Sequence, residues 1–82
     1  MRGFTVVAEF RNGTLVVPVM TYGGYSSVRQ AWGRTNQAMT AIVVRVPGRP
    51  PTFAVVWGPY SDMQKTSFAD EDAAIMAARM IR

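Results

Sequence analysis

The sequence predicts a small α+β domain, an antiparallel sheet of four to five strands with two helices on one face. The predicted order is β-β-α-β-β-(β)-α. Five short runs rich in β-branched and aromatic residues are separated by turn residues, which is typical of strands joined by hairpins. Two other runs repeat apolar residues at helical spacing. The 82 residues make one domain, 1–82, and two helices of this kind can cover one face of a sheet.

The chain begins with a predicted hairpin. Residues 4–11 alternate as a strand does, and one face receives Phe4, Val6, Ala8 and Phe10. Asn12-Gly13 follows, which is the strongest short signal for a type I′ turn because both positions need a positive φ. Residues 14–20 form the returning strand. Pro18 lacks a backbone donor, so this strand is predicted to lie at an edge or to bulge there.

A predicted loop at residues 21–25 leads into a helix over residues 27–39. Ser27, with Gln30 three residues later, forms a capping-box pattern at its start. The apolar face repeats at i, i+3, i+4 and i+7 through Val28, Ala31, Trp32, Thr35, Ala38 and Met39. Gly33 weakens this helix by about 1 kcal/mol relative to alanine.

Two strands follow, at residues 41–46 and 52–57, joined by a turn that is rich in proline and glycine. The strand at 52–57 is apolar on both faces, which indicates a central position in the sheet. Residues 63–68 are the fifth strand that the predicted order gives in parentheses.

The final helix begins at Asp70, whose side chain is a suitable N-cap, and Glu71 and Asp72 suit its positive dipole end. Its apolar residues span roughly 200° of the helix circumference. That is about twice the width that a core needs. We expect the packed side to be Ala73, Ala74, Ala77 and Ile81, and the exposed side to be Ile75, Met76 and Met80.

The residues that usually carry catalysis are missing. The chain has no histidine and no cysteine, which removes the commonest general base, metal ligand and strong nucleophile. Asp70, Glu71 and Asp72 are consecutive, so they cannot all face one ion, and capping explains them. We therefore predict no enzyme activity, no catalytic or metal site and no cofactor.

The charge is positive and uneven. The net charge is +4, and residues 1–60 hold six arginines against one glutamate. A basic face for phosphate or for an acidic protein is one interpretation. The codon usage of a GC-rich genome is the other, because such codons favour arginine and alanine.

The sequence thus favours a binding module, whose partner is a protein or a second copy of the chain. The predicted interface combines the apolar residues Ile75, Met76 and Met80 with the charged residues Arg29, Arg34, Arg45 and Arg49. The alternative is a nucleic-acid-binding protein, in which these arginines act together with the aromatic residues Tyr22, Tyr25, Trp57 and Tyr60.

Size, composition and the lack of catalytic residues resemble those of short phage or mobile-element proteins that inhibit a host factor, anti-CRISPR proteins among them. This resemblance implies a small stoichiometric inhibitor. No run reaches the 18 or so apolar residues of a membrane span, and polar residues interrupt any signal-peptide core at the N-terminus. We expect a cytoplasmic protein without membrane contact, in the host cytoplasm if it is phage-encoded.

Overall fold

The structure, a computed structural model, describes residues 3–16 and 22–82. Within those ranges it contains six strands, two α-helices and a short 3-10 helix. The strands are β1 (Phe4–Arg11), β2 (Thr14–Val16), β3 (Tyr22–Tyr25), β4 (Ala41–Val46), β5 (Thr52–Trp57) and β6 (Gln64–Phe68). The α-helices are α1 (Val28–Arg34) and α2 (Glu71–Arg79), and the 3-10 helix is Tyr60–Asp62.

The predicted α+β class, with an antiparallel sheet and two helices, is confirmed. The described strands pair antiparallel in the order β2-β1-β4-β5-β6. β3 also pairs with β1, at Phe4 and Val6, whereas β2 pairs with the other half of that strand, from Glu9 to Arg11. The bounds of β4 and β5 agree with the prediction, and the fifth predicted strand is present as β6.

The hairpin between β1 and β2 has the expected turn. Asn12 has φ 50° and Gly13 has φ 81°, the conformation that a type I′ turn requires. The second predicted strand is present from Thr14 to Val16. Its remainder, including Pro18, lies outside the described residues. The predicted loop is instead a strand from Tyr22, because the first half of β1 still has an open edge there.

The two helices lie on opposite faces of the sheet, so the prediction that they share one face is wrong. On the face that we call the α2 side, Ala41, Val43, Phe53 and Val55 pack with Ala74 and Ala78. On the α1 side, Ile42, Val44, Ala54 and Val56 pack with Val28 and Ala31. Because β4 and β5 are apolar on both faces, each face needs its own cover.

A β-bulge in β1 divides that strand between the two faces. Val6 pairs with Val44, but Ala8 pairs with Val43, so between these two pairs β1 has one more residue than β4. Val6 therefore packs on the α1 side, whereas Ala8 and Phe10 pack on the α2 side. The prediction that alternate residues of β1 share one face is wrong for this reason.

Helix α1 begins as predicted but ends five residues early. The Ser27 hydroxyl accepts a hydrogen bond from Gln30 N at 3.0 Å, which confirms the N-cap. The Thr35 hydroxyl donates to Ala31 O at 2.8 Å, and Asn36 Oδ1 accepts from Ala38 N at 2.8 Å. Such local side-chain bonds compete with helical backbone bonds and end the helix.

Helix α2 has the predicted N-cap, but the residues at the centre of its buried face differ from the prediction. Asp70 Oδ2 accepts a hydrogen bond from Ala73 N at 3.1 Å. Ala74 and Ala78 are fully buried, so Ile75 lies only about 80° from the middle of the packed face. Ile75 is half-buried against the core, and the expectation that it is exposed is wrong. Neither described helix is long and apolar enough to cross a membrane.

Candidate binding surfaces

Several parts of the chain meet at one end of the sheet. The register aligns Phe10 with Ala41 and Ala41 with Trp57, so these residues mark the same end of three strands. Thr40 N donates to Phe10 O at 2.8 Å, which holds the α1–β4 loop there. A Cβ at Gly13 would lie 2.9 Å from a backbone oxygen of Arg79, so the β1–β2 turn touches the end of α2.

A groove of about 940 Å³ opens at this end, and we call it the end groove. Its walls come from α1 and the loop after it, from the turn after β5, and from the last two residues of the chain. It contains three aromatic residues, Trp32, Trp57 and Tyr60, and two arginines, Arg34 and Arg82. Amides and hydroxyls come from Gln30, Thr35, Asn36, Gln37 and Thr40. Among the described residues that line it, none is an aspartate or a glutamate.

Tyr60 is the most exposed aromatic residue of the end groove, and α1 holds it in place. Its side chain is 49% exposed. The guanidinium carbon of Arg29 lies 4.4 Å from the ring centroid, which is a cation–π contact. A Cβ at Gly33 would lie 2.8 Å from Tyr60 Cε1, so the ring occupies space that only glycine leaves free. The unfavourable glycine in α1 is therefore explained by the position of Tyr60.

The two tryptophans approach the end groove from opposite sides of the sheet. Trp32 packs on the α1 side and Trp57 on the α2 side. Trp32 Nε1 donates a hydrogen bond to Gly58 O at 2.9 Å, which ties α1 to the turn after β5. Gly58 has φ 90°, a conformation that favours glycine. The groove thus crosses the end of the sheet between its two helical layers.

The four arginines of the predicted interface do not form one patch. Arg34 lines the end groove and Arg29 contacts Tyr60 beside it. Arg45 lies four residues along β4 from Ala41, about 13 Å away, and Arg49 follows in the β4–β5 turn. Sequence reasoning missed Arg82, the last residue, because only the topology brings it to this groove.

A second, smaller concavity lies beside β6, the last strand in the described sheet order. Its volume is about 280 Å³, and its lining is Val55, Trp57, Thr66, Phe68, Ala77 and Ile81. Met80 lies on the same flank of α2 as Ala77, whereas Met76 points away from the sheet, and they are 79% and 69% exposed, as predicted. We call this concavity, with the two methionines and β6, the α2–β6 surface.

Ile75 is not part of the α2–β6 surface. It lies on the opposite flank of α2, toward β1, where the guanidinium of Arg79 stands 5.8 Å from the ring centroid of Phe10. Tyr25 packs against the α1-side core, so it does not join the aromatic residues of the end groove. The side chain of Tyr22 lies outside the described part of the chain.

The carboxylates are spread over both ends of β6. Asp62 precedes this strand, whereas Asp70, Glu71 and Asp72 follow it. Across residues 3–16 and 22–82, no group of three or more histidine, cysteine, aspartate or glutamate side chains is arranged to hold a metal ion. Comparison with known protein families, curated proteins and solved structures gives no match.

Proposed function

We propose that this domain is a non-enzymatic protein-binding module whose docking surface is the α2–β6 surface. The observation that carries the proposal is the exposure of Met76 and Met80 beside an apolar concavity at the edge of the sheet. Contiguous apolar surface of this kind marks interaction sites, and methionine adapts well to a partner. Of the predicted interface residues, only Met76 and Met80 belong to the proposed docking surface.

The partner that we propose is a second copy of the chain, bound through β6. An edge strand can pair antiparallel with itself around a two-fold axis, which gives a closed and self-complementary dimer. Centred on Thr66, this pairing sets Lys65 opposite Ser67 of the other copy. No like charges then lie directly opposite, which a stable strand pair requires.

The same pairing also accounts for the methionines. A two-fold axis perpendicular to the sheet places both α2 helices on the same face of the joined sheet. Met80, on the flank of α2 that faces β6, then points toward the other copy over the paired β6 strands, and Met76 lies one turn before it. Burial of Met80 at this contact would stabilise the dimer, since a fully buried methionine contributes about 1.5–3 kcal/mol.

The test is the mass of the protein in solution, measured by analytical ultracentrifugation over a wide concentration range. We expect twice the mass of one chain at high concentration, with little change between low and high salt because backbone hydrogen bonds of β6 and methionine contacts form the interface, without ion pairs. The double variant Met76→Lys/Met80→Lys should be monomeric. Leu15→Lys, which changes an exposed apolar residue of β2 instead, should remain dimeric.

A protein that stays monomeric at every concentration would overturn the self-pairing. A dimer that withstands the Met76→Lys/Met80→Lys change would exclude the α2–β6 surface as its interface. A small inhibitor of a host factor could use the same edge to bind an extended segment of another protein. That form of the function predicts a monomer whose binding to a defined partner is lost in the same double variant.

A further inference from the structure

We propose that the end groove binds a short segment of single-stranded nucleic acid. Its bases would stack on Tyr60 and Trp57, and its phosphates would contact Arg34 and Arg82. This inference goes beyond protein binding and uses a different surface, since the α2–β6 surface shares only Trp57 and Ile81 with the groove.

The first support is the charge of the groove. Arg34 and Arg82 line it, Arg29 stands behind Tyr60, and no aspartate or glutamate, Asp62 included, is among the described residues of its lining. The acidic start of α2 is at the other end of the fold, because β6 runs away from the groove before α2 begins. A concave site lined by one sign of charge concentrates ligands of the opposite sign.

The second support is the way Tyr60 is presented. A tyrosine on a surface usually moves freely, but this ring is held by Arg29 on α1 and by the space above Gly33. Almost half of its side chain remains open to a ligand. Stacking of a base on an aromatic ring contributes about 1–3 kcal/mol and tolerates any base, because every base has a π-face.

The third support distinguishes a single strand from a duplex. In a duplex the bases are stacked on each other, so their faces cannot reach an aromatic residue inside a groove. An unpaired base can enter, and Asn36 and Gln37 offer amide groups for its edge. The groove volume of about 940 Å³ lies within the range of ligand sites, which reach roughly 1,000 Å³.

The experiment is fluorescence anisotropy with a labelled 12-nucleotide oligothymidine, measured at several salt concentrations. A duplex of the same length and polyglutamate serve as competitors. We expect the single strand to bind at least tenfold more tightly than either competitor. Equal affinity for the duplex or for polyglutamate would show attraction by charge alone, and no binding of the oligonucleotide would also overturn the proposal.

Two charge-matched double variants locate the site. Arg34→Gln/Arg82→Gln and Arg45→Gln/Arg49→Gln both lower the net charge from +4 to +2. The first should lose at least tenfold in affinity, and the magnitude of its salt slope should fall by about 1.4, since each phosphate contact to a single strand contributes about 0.7. The second should lose less than threefold. Equal losses would overturn the assignment to the groove.

The stacking role is tested separately by two substitutions of one residue. Tyr60→Phe keeps the ring and should keep the affinity, whereas Tyr60→Leu should lose roughly fivefold or more. Equal affinity in both variants would exclude stacking on Tyr60. None of these variants touches Met76 or Met80, so failure of nucleic-acid binding and failure of the dimer are separate results.

Discussion

Gly33 and Tyr60 occupy adjoining space: a Cβ on residue 33 would come within 2.8 Å of Tyr60 Cε1. The two residues are far apart in the chain, yet the ring fits against the helix only because the helix has no side chain there. The glycine therefore controls where the aromatic ring stands in the end groove.

Gly33→Ala should displace the Tyr60 ring while the fold remains intact. The free energy of unfolding should change by less than about 1 kcal/mol, because improved helix propensity offsets the lost ring contact. Urea denaturation measures this, and nuclear Overhauser effects between the side chains of Tyr60 and Arg29 should disappear. In a Tyr60→Ala background the same change should be stabilising, by up to about 1 kcal/mol. A destabilising effect in that background would show that something other than the ring requires glycine.

Ile75→Lys should destabilise the protein by roughly 1–3 kcal/mol, because the side chain packs against the α2-side core. Met76→Lys, one position later and 69% exposed, should change the free energy of unfolding by no more than about 0.5 kcal/mol. Thermal and urea denaturation of the two variants give the comparison, at concentrations low enough to keep the protein monomeric. Similar losses in both would contradict the placement of the α2 flanks.

Ala78→Leu should destabilise by roughly 1–3 kcal/mol, because Ala78 is fully buried and α2 lies close to β4 and β5. Ala38→Leu adds the same volume at an exposed position and serves as the control. The free energies of unfolding of both variants are measured under identical conditions. An unaffected Ala78→Leu protein would mean that this side of the core has spare volume.

Trp32→Phe should cost about 0.5–1.5 kcal/mol through the hydrogen bond to Gly58 O, in addition to the loss of apolar contact. Trp57 remains as the fluorescent reporter for urea denaturation. The turn after β5 should also exchange its amide hydrogens faster than in the parent protein. Unchanged exchange in residues 58–60 would show that this turn does not depend on α1.

Local signals predicted the central strands and the α2 cap correctly. Residues 41–46 and 52–57 are continuous apolar runs between turn residues, and such signals need no knowledge of distant contacts. Asp70 was identifiable because an N-cap acts within three residues of chain. These features are fixed by neighbours in the sequence.

The placement of α1 could have been inferred but was not. β4 and β5 are apolar on both faces, and two covering layers are the simplest consequence of that pattern. The sequence-based prediction placed both helices on one face, whereas α1 covers the other. The β-bulge between Val6 and Ala8 could not be inferred from the sequence, because it becomes apparent only when these residues pair with Val44 and Val43.

The end groove could not be assembled from the sequence. Gly33, Tyr60 and Arg82 are separated by more than twenty residues each, and none belongs to a recognisable motif. The excess of arginines is apparent from the composition, but their division between the two ends of the sheet depends on the strand order. The exposed methionines were predictable because helical periodicity alone places them.

Strands β4 and β5 contribute alternate residues to both hydrophobic clusters, one on each face of the sheet. If either helix left the sheet, one apolar face of β4 and β5 would be exposed to water while the other face was still packed. The α1 and α2 layers are each too small to be stable alone, since a domain of this size is marginal even when complete. The molecule is therefore expected to lose both layers in a single cooperative transition, with the β4 and β5 amides exchanging only through global unfolding.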